Sequence, residues 1–463
     1  MRGRILRHPH AGDDLPQRRN RETDIGRILC GERQLKAHPI RPLLNQWRSD
    51  GGFHHLGAMT TVAGPPLLHD PSFRNFYLAS AVSQFGSQVG YVAMPLLAVI
   101  ALDAGPGEVG LLSALTTITV LVLGLPAGAW VDRVRRRPVM IATDLVRAVL
   151  LVSVTVTWWL DALTMTQLYG VAIATGIGTL FFDVASQSTL PHLVGRDRLT
   201  AANSVLVGTS AAMDVGGRSS AGVLVALAGA PVAIVLDALT YLWSAVWLRR
   251  ISKPEPAPAP VPGERLGRQI GEGVRFLFGN RVLIAIAAQG GMTNLAFPLC
   301  STLLPVLLVD ELGQPAWVLG AYLAVGGLGV LAGSSTAHLI GRRLGRGRAV
   351  WIVGMTTAPF ALLVPFVGWS VWISAAAWSI LCFRTGVNNV LLVSFRQEVT
   401  PDPMLGRMNA TMRLILIGAV GVGGLLAGLL GEVWGIGTAM WTGAAIMALS
   451  WIPIWFSPLR HEV

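Results

Sequence analysis

Ionisable residues inside long apolar segments are the part of this sequence with the clearest capacity for chemistry. Asp214 and Arg218 stand four residues apart in one such segment, which puts both side chains on one face of a helix. A charge at the centre of a bilayer costs several kcal/mol, so both residues are functional candidates. The pair could gate a pathway or carry a proton, whereas the structural alternative is a self-neutralising ion pair.

Other charged residues interrupt neighbouring apolar segments. We expect Asp144 and Arg147 to lie a turn or two inside their helix, close enough to its end to join a network at the membrane surface. Asp183 is expected about two turns from the same surface, where it could join that network. Asp237 is expected near the opposite surface, where helix capping or pairing would explain it. After Asp214, these three carboxylates are the next candidates for proton coupling.

Polar residues near the middle of other segments form a third set, which suits hydrogen bonding to a small-molecule substrate. One of them is an arginine that would suit an anionic substrate or a carboxylate elsewhere in the chain. Hydrogen bonds between helices would explain the set equally well. The candidates for lining a substrate cavity are Gln84, Gln88, Gln289, Asn294, Arg384 and Asn388.

The composition places all these residues in a membrane protein. Of 463 residues, 52% are hydrophobic and 13% are charged, whereas soluble domains carry about 25% charged residues. The net charge of +11 does not indicate nucleic-acid binding, because the arginines are concentrated in loops and in the N-terminal tail. The three cysteines have no metal or disulfide spacing, and no metal, haem or nucleotide motif is visible, so we expect no cofactor.

About twelve apolar segments follow the tail, each near the length that a helix needs to cross a bilayer. The six loops that we place outside contain acidic residues but no lysine or arginine. The positive-inside rule then puts both termini in the cytoplasm and predicts a multi-pass protein of the plasma (inner) membrane. The predicted segments are 76–102, 109–131, 139–160, 165–189, 201–228, 231–248, 282–308, 316–340, 349–367, 370–393, 409–431 and 436–457.

The order of the segments predicts two parallel six-helix halves, residues 71–250 and 282–458. A cytoplasmic linker, residues 251–281, joins them through a proline-rich stretch and an amphipathic helix that we expect to lie on the membrane surface. Residues 1–70 are predicted to be a disordered basic tail, with Met59 as an alternative start. A shift of 210 residues aligns Arg133 with Arg343 and Arg136 with Arg346. The glycines of segment 409–431 predict close helix packing, as at a sliding interface.

The loop after the second segment carries the most specific motif. Residues 128–137 read G-A-W-V-D-R-V-R-R-R, and this order resembles the signature loop of the major facilitator superfamily. The matching residues are Gly128, Asp132, Arg133, Arg136 and Arg137. The resemblance implies that they form a conformational latch, to which we add Asp144 and Arg147. Arg135 stands where the superfamily pattern has a glycine.

Further stretches resemble the drug-exporter branch that includes macrolide-efflux proteins and the enterobactin exporter. They include F-D-V-A-S-Q-S from Phe182 and L-G-R-M-N-A-T from Leu405. The resemblance covers residues 70–460 and implies an all-α facilitator fold and an antiporter mechanism. One departure concerns the helix of Asp214, which reads Gly-Arg-Ser from Gly217 where the branch has Gly-Pro-Gly.

We therefore predict a secondary active exporter of a small amphipathic drug-like compound or secondary metabolite. It would work by alternating access, draw on the proton gradient, act as a monomer in the lipid bilayer and bind no nucleic acid. The alternative is a transport-deficient membrane sensor or scaffold on the same fold, for which Arg218 and the basic tail would be clues. A membrane-embedded enzyme is disfavoured because no nucleophile, metal or acid–base constellation is visible. The residues leave import against export open.

Overall fold

A computed structural model of the chain describes residues 67–131, 133–255 and 266–461. Residues 1–66 of the predicted tail, most of the proline-rich stretch and Asp132 lie outside the described residues. Within the described ranges the regular structure is helical, without strands. The helices are α1 (Pro71–Leu102), α2 (Pro106–Val131), α3 (Arg136–Trp159), α4 (Met165–Val194), α5 (Leu199–Ala228), α6 (Ala230–Arg249), α7 (Leu266–Gly279), α8 (Arg281–Ser301), α9 (Ala316–Leu344), α10 (Arg346–Ala361), α11 (Val371–Val399), α12 (Asp402–Trp434), α13 (Ile436–Leu449) and α14 (Ile452–Trp455).

The predicted apolar segments all appear as helices, with two kinds of difference. Several helices are longer than their apolar segments, because the helix continues through the charged residues at its end. For example, α3 starts at Arg136 and α11 runs to Val399. Three predicted segments are interrupted in the structure, namely 282–308, 349–367 and 436–457. The first of them continues from α8 into a π-helical turn at Val306–Glu311. In the described part of the chain, eleven spans are long and apolar enough to cross a membrane. Helix α5 has 30 residues but is more polar, since it carries Asp214 and Arg218.

The helix packing repeats between the two parts of the chain. In the first, α1 packs on α5 and α6, α2 packs on α4, and α3 packs on α4 and α6. In the second, α8 packs on α12 and α13, α9 packs on α11, and α10 packs on α11 and α13. Every one of these pairs has a counterpart seven helices later. The two halves meet through two further matched pairs, α2 with α12 and α5 with α9, which confirms the predicted two-halves fold.

The two ends of this bundle differ in charge. Six connections meet at one end, those after α1, α3, α5, α8, α10 and α12, and they contain Asp103, Asp161 and Asp310 but no lysine or arginine. We call this the acidic end. The opposite end, which we call the basic end, carries the arginines of residues 133–137 and 342–348 and the linker.

Helix α7 of the linker packs against the second half at the basic end. Glu272 forms an ion pair with Arg407 of α12, and Leu277 is fully buried. Gly273 permits the close approach, since a Cβ there would lie 2.7 Å from the Arg407 carbonyl oxygen. Part of the apolar face of α7 is therefore covered by protein, and its expected place on the membrane surface stays a prediction.

Candidate transport cavity

The apolar core is shared by the two halves at the acidic end and divided at the basic end. One buried cluster includes Leu96 and Ile234 of the first half together with Leu303 and Trp378 of the second. Towards the basic end the core splits into two clusters. One, with Phe76 and its neighbours, belongs to the first half, and the other belongs to the second half and α7. The halves are therefore packed together at the acidic end and separated at the basic end.

Glycines bring the backbones of the two halves into contact at the acidic end. A Cβ on Gly222 of α5 would lie 2.6 Å from Cα of Gly320 in α9, and one on Gly428 of α12 would lie 2.9 Å from Cα of Gly110 in α2. Only glycine allows so close an approach at these positions. The contact of α12 with α2 confirms the close packing predicted from its glycines.

A carboxylate adds a polar contact to the same closure. Glu432 of α12 accepts a hydrogen bond of 3.1 Å from the backbone N–H of Gly107, in the first turn of α2. A negative charge is favourable at a helix N-terminus. We call Gly107, Gly110, Gly222, Gly320, Gly428 and Glu432 the acidic gate. Sequence reasoning missed Glu432, because its partner is 325 residues away.

A cavity of about 970 Å³ lies below this gate. Its walls come from α1, α2, α4 and α5 with parts of α3 and α6, and Ile417 of α12 closes the second-half side. It reaches the basic end, where Pro191 and Asn203 are exposed. Serine, threonine and glutamine side chains alternate with aromatic ones such as Tyr91 and Phe182. A cavity of this size and mixed lining fits a drug-sized amphipathic molecule.

Gln88 links Asp214 and Arg218, which do not pair directly. Its amide nitrogen donates to Asp214 Oδ1, and its amide oxygen accepts from Arg218 Nε at 2.7 Å. Gln84 donates a second hydrogen bond to Asp214, of 3.2 Å, and the Arg218 guanidinium lies over the ring of Tyr91 at 4.9 Å. The structural alternative of a self-neutralising ion pair on one helix is not formed, because α1 inserts the Gln88 amide between the two charges. Gln84, Gln88 and Arg218 line the cavity, whereas Asp214 lies behind them.

Asp144 and Arg147 form a buried ion pair inside the first half. Their exposures are 0% and 2%. Arg147 also contacts Thr179 of α4 at 3.3 Å and stacks on Tyr241 of α6 at 4.1 Å. The expected network at the membrane surface is wrong for these two residues. They lie 8 and 11 residues after the start of α3 at Arg136, or about 12 and 16 Å along its axis, and point into the bundle.

Two more carboxylates surround the same arginine. Asp183 of α4 and Asp237 of α6 both interact electrostatically with Arg147 and both line the cavity. Asp237 is 4% exposed and accepts a long hydrogen bond of 3.5 Å from Thr240. Asp183, which the sequence suggested could join a network with Asp144 and Arg147, interacts with Arg147 and with Arg413 of α12. Asp237 was expected nearer the opposite surface, with capping or pairing as its explanation, and the structure favours pairing with Arg147. We call Asp144, Arg147, Asp183, Asp237 and Tyr241 the Arg147 cluster.

The polar candidates of the second half divide between two places. Gln289, Asn294 and Asn388 line a smaller pocket of about 100 Å³. Arg384 lines neither cavity. It is 1% exposed, and its Nη1 donates to the Met447 carbonyl of α13 at 2.9 Å. The assignment of Arg384 to the cavity wall is therefore corrected: its side chain turns into the second half.

The loop of residues 133–137, which we call the arginine loop, contacts the first half and the start of the linker. Arg136 donates to the Ser188 carbonyl at 3.0 Å, and Arg137 to the Leu248 carbonyl at 2.8 Å. Glu255 accepts hydrogen bonds from the backbone N–H groups of both arginines, at the N-terminus of α3. Arg133 is exposed, and a Cβ on Gly128 would meet no atom within 4 Å. A latch from this loop to the second half, with Asp132 as its acid, stays a prediction.

Comparisons with known proteins agree on one class of molecule. The family described as transmembrane secretion effector matches residues 61–462. The multidrug efflux pump Tap of Mycolicibacterium fortuitum is 27% identical over 87% of this chain and 98% of its own length. The enterobactin exporter EntS of Shigella dysenteriae serotype 1 is 24% identical over 78% and 86%. The fold is similar to a bacterial homologue of the iron transporter ferroportin in an inward-facing state, with a TM-score of 0.69, 15% identity and coverage of 84% and 98%.

Proposed function

Since the chain belongs to the transmembrane secretion effector family of the major facilitator superfamily, we propose that it exports small amphipathic compounds by alternating access. Family membership makes it a multi-pass membrane transporter and not an enzyme. The export direction is supported by two relatives, one described as an efflux pump and the other as an exporter. Both halves, the cavity and the acidic gate belong to one chain, which supports a monomer as the transporting unit.

One observation carries the mechanism: the core is continuous across the halves at the acidic end and split at the basic end. This is the arrangement expected for one end state of a rocking transporter. We place the basic end in the cytoplasm, because loops rich in arginine stay inside. The described state is then inward-facing. The opposite state would open the acidic gate and bring the arginine loop against the second half.

We assign proton coupling to the Arg147 cluster. Two buried carboxylates, Asp144 and Asp237, and the half-buried Asp183 surround Arg147, and Asp183 also interacts with Arg413 of α12. Leaving all three carboxylates charged in a largely desolvated site is costly. Asp144 is the direct ion-pair partner of Arg147. Asp183 and Asp237 line the cavity, so they are the groups that can exchange a proton with the cavity. Asp214, the first choice from the sequence, already receives two amide hydrogen bonds and does not line the cavity.

A flux measurement tests the proposed function. Proteoliposomes that contain the purified chain should accumulate ethidium, an amphipathic dye, when their lumen is acidic. This is the behaviour expected of a proton antiporter in inverted vesicles. Accumulation should stop when an ionophore collapses the proton gradient. Equilibration of the dye without any dependence on the gradient would indicate a facilitator that is not coupled to protons. The absence of flux for every dye of an amphipathic panel would favour the sensor or scaffold alternative.

Labelling from outside tests the orientation. In a background lacking the native cysteines, Gly229→Cys at the acidic end should react with an impermeant thiol reagent applied to intact cells. Arg136→Cys at the basic end should react only after permeabilisation. We expect this because the acidic-end connections contain no lysine or arginine. The reverse labelling pattern would invert the topology and turn the described state into an outward-facing one.

A further inference from the structure

Arg218 is a cationic side chain of the cavity wall to which neither the acidic gate nor the Arg147 cluster gives a role. It lies in α5 where that helix closely approaches α1: a Cβ on Gly217 would lie 2.6 Å from Cβ of Gln88 and 2.8 Å from the Phe85 carbonyl oxygen. Arg218 is half-buried and lines the cavity of about 970 Å³. A charge on a pathway through the membrane is a functional candidate.

Two contacts from α1 hold the guanidinium of Arg218 and leave one of its edges free. Nε donates to Gln88 Oε1 at 2.7 Å, and the guanidinium carbon lies 4.9 Å from the centre of the Tyr91 ring. The two terminal nitrogens, Nη1 and Nη2, donate to no described residue. Neither of them is enclosed by the protein, so both are open to a ligand in the cavity.

The geometry points to Arg218 as the residue that binds a carboxylate of the exported molecule. A carboxylate can accept from Nη1 and Nη2 together, in the paired arrangement that arginine favours. Asp214 does not occupy these donors, because it accepts from Gln84 and Gln88 behind the cavity wall. One guanidinium charge balances one carboxylate, which makes a carboxylate a better match than a doubly charged phosphate monoester. This inference rests on the proposed function, since it names the substrate class of the same transporter.

An apolar face of α1 adjoins the guanidinium. Tyr91 is 56% exposed, and Met94 and Pro95, three and four residues further along the helix, line the same cavity. This spacing puts the three side chains on one side of α1. An aromatic ring can pack on this face while a carboxylate attached to it reaches Arg218. We therefore expect aryl carboxylates to be favoured over aliphatic ones.

A matched pair of dyes tests the assignment on the purified full-length protein in an uncharged detergent. Rhodamine 110 carries a free benzoate, and rhodamine 123 is its methyl ester, so the two share a cationic ring system and differ at the carboxylate alone. We expect rhodamine 110 to bind about tenfold more tightly in fluorescence-anisotropy titrations, after subtraction of binding to protein-free micelles. Hydrogen bonds between charged groups are strong enough for a difference of this size.

Three variants connect the preference to the guanidinium. Arg218→Met should remove it, because both the charge and the donors are lost. Arg218→Lys should retain part of it, since the charge remains while the paired donors are lost. Tyr91→Phe is the matched control: it keeps the aromatic ring beside the guanidinium and removes only the hydroxyl, so the preference should persist.

Several outcomes would overturn the assignment. One is equal binding of the two dyes by the unsubstituted protein, or tighter binding of the ester. Another is persistence of the preference in folded Arg218→Met, and if that variant does not fold, an undiminished preference in Arg218→Lys decides against the assignment. Ethidium flux without a carboxylate preference removes only the subsite. A carboxylate preference without flux of ethidium or either rhodamine removes the exporter function and leaves a binding site.

Discussion

Asp237→Asn is expected to reduce uphill transport to the background of protein-free vesicles while leaving downhill exchange in place. Asparagine has nearly the same shape, and the Thr240 hydroxyl would keep its hydrogen bond of 2.7 Å to the main-chain carbonyl of residue 237. Asparagine cannot take up or release a proton, so the Arg147 cluster loses one exchangeable site. Uphill flux depends on that exchange, whereas downhill exchange depends only on the alternation of the two states. Both are measured in the proteoliposome assay, with and without a proton gradient.

Three related variants separate coupling from structure. Asp183→Asn should behave like Asp237→Asn, because both carboxylates line the cavity beside Arg147. Asp144→Asn should instead lower the free energy of unfolding in detergent by about 3 kcal/mol or more, since it removes the charge of the direct partner of a buried arginine. Asp214→Asn should retain uphill transport. If Asp214→Asn loses uphill transport while Asp183→Asn and Asp237→Asn retain it, Asp214 is the residue that couples transport to the proton gradient.

Gly222→Val should abolish transport by holding the acidic gate open. The first added carbon would lie 2.6 Å from Cα of Gly320, well inside contact distance, and backbone cannot move aside as a flexible side chain can. The halves must then separate at the acidic end, which disfavours the described state. Gly428→Val should act in the same way through Gly110, because its added carbon would lie 2.9 Å from that Cα. Both ethidium flux and thiol labelling at the acidic end report the effect.

Gly216→Val is the matched control for this prediction. It lies in the same helix as Gly222, so it has the same change in helix propensity, but its added carbon meets no atom within 4 Å. Transport by Gly216→Val should stay within about twofold of the unsubstituted protein, since exposed helix substitutions of this kind change stability by less than about 1 kcal/mol. Equal loss in Gly216→Val and Gly222→Val would mean that a change in α5 itself, and not the close contact, explains the effect.

The sequence was sufficient to predict the spans, the repeat and the charge difference between the ends. Each of these depends on hydropathy along the chain or on the type of residue in a loop, which can be read locally. The predicted helix ends were less accurate at the basic end, where α3, α11 and α12 run on through charged residues. Such residues lower hydropathy without ending a helix.

The directions of the buried charged side chains could not be predicted in the same way. A membrane helix can be apolar on every side, so its sequence does not show which face meets which neighbour. Arg384 was therefore expected in the cavity but contacts Met447. Asp144 and Arg147 were expected to join a network at the membrane surface, but they pair inside the first half, where Arg147 contacts α4 and α6. The sequence correctly marked these residues as unusual, yet their partners come from helices distant in the chain.

Distances between spin labels on the two halves give the most direct test of alternating access. One pair, Glu108 with Val433, spans the acidic end, and the other, Gln187 with Gln397, spans the basic end; all four residues are exposed. The proposal predicts two populations in a membrane, and a change in pH or addition of a transported dye should lengthen one distance as it shortens the other. Gly222→Val should show only the population with the acidic end apart. A single population under all conditions, or two distances that change in the same direction, would contradict the mechanism.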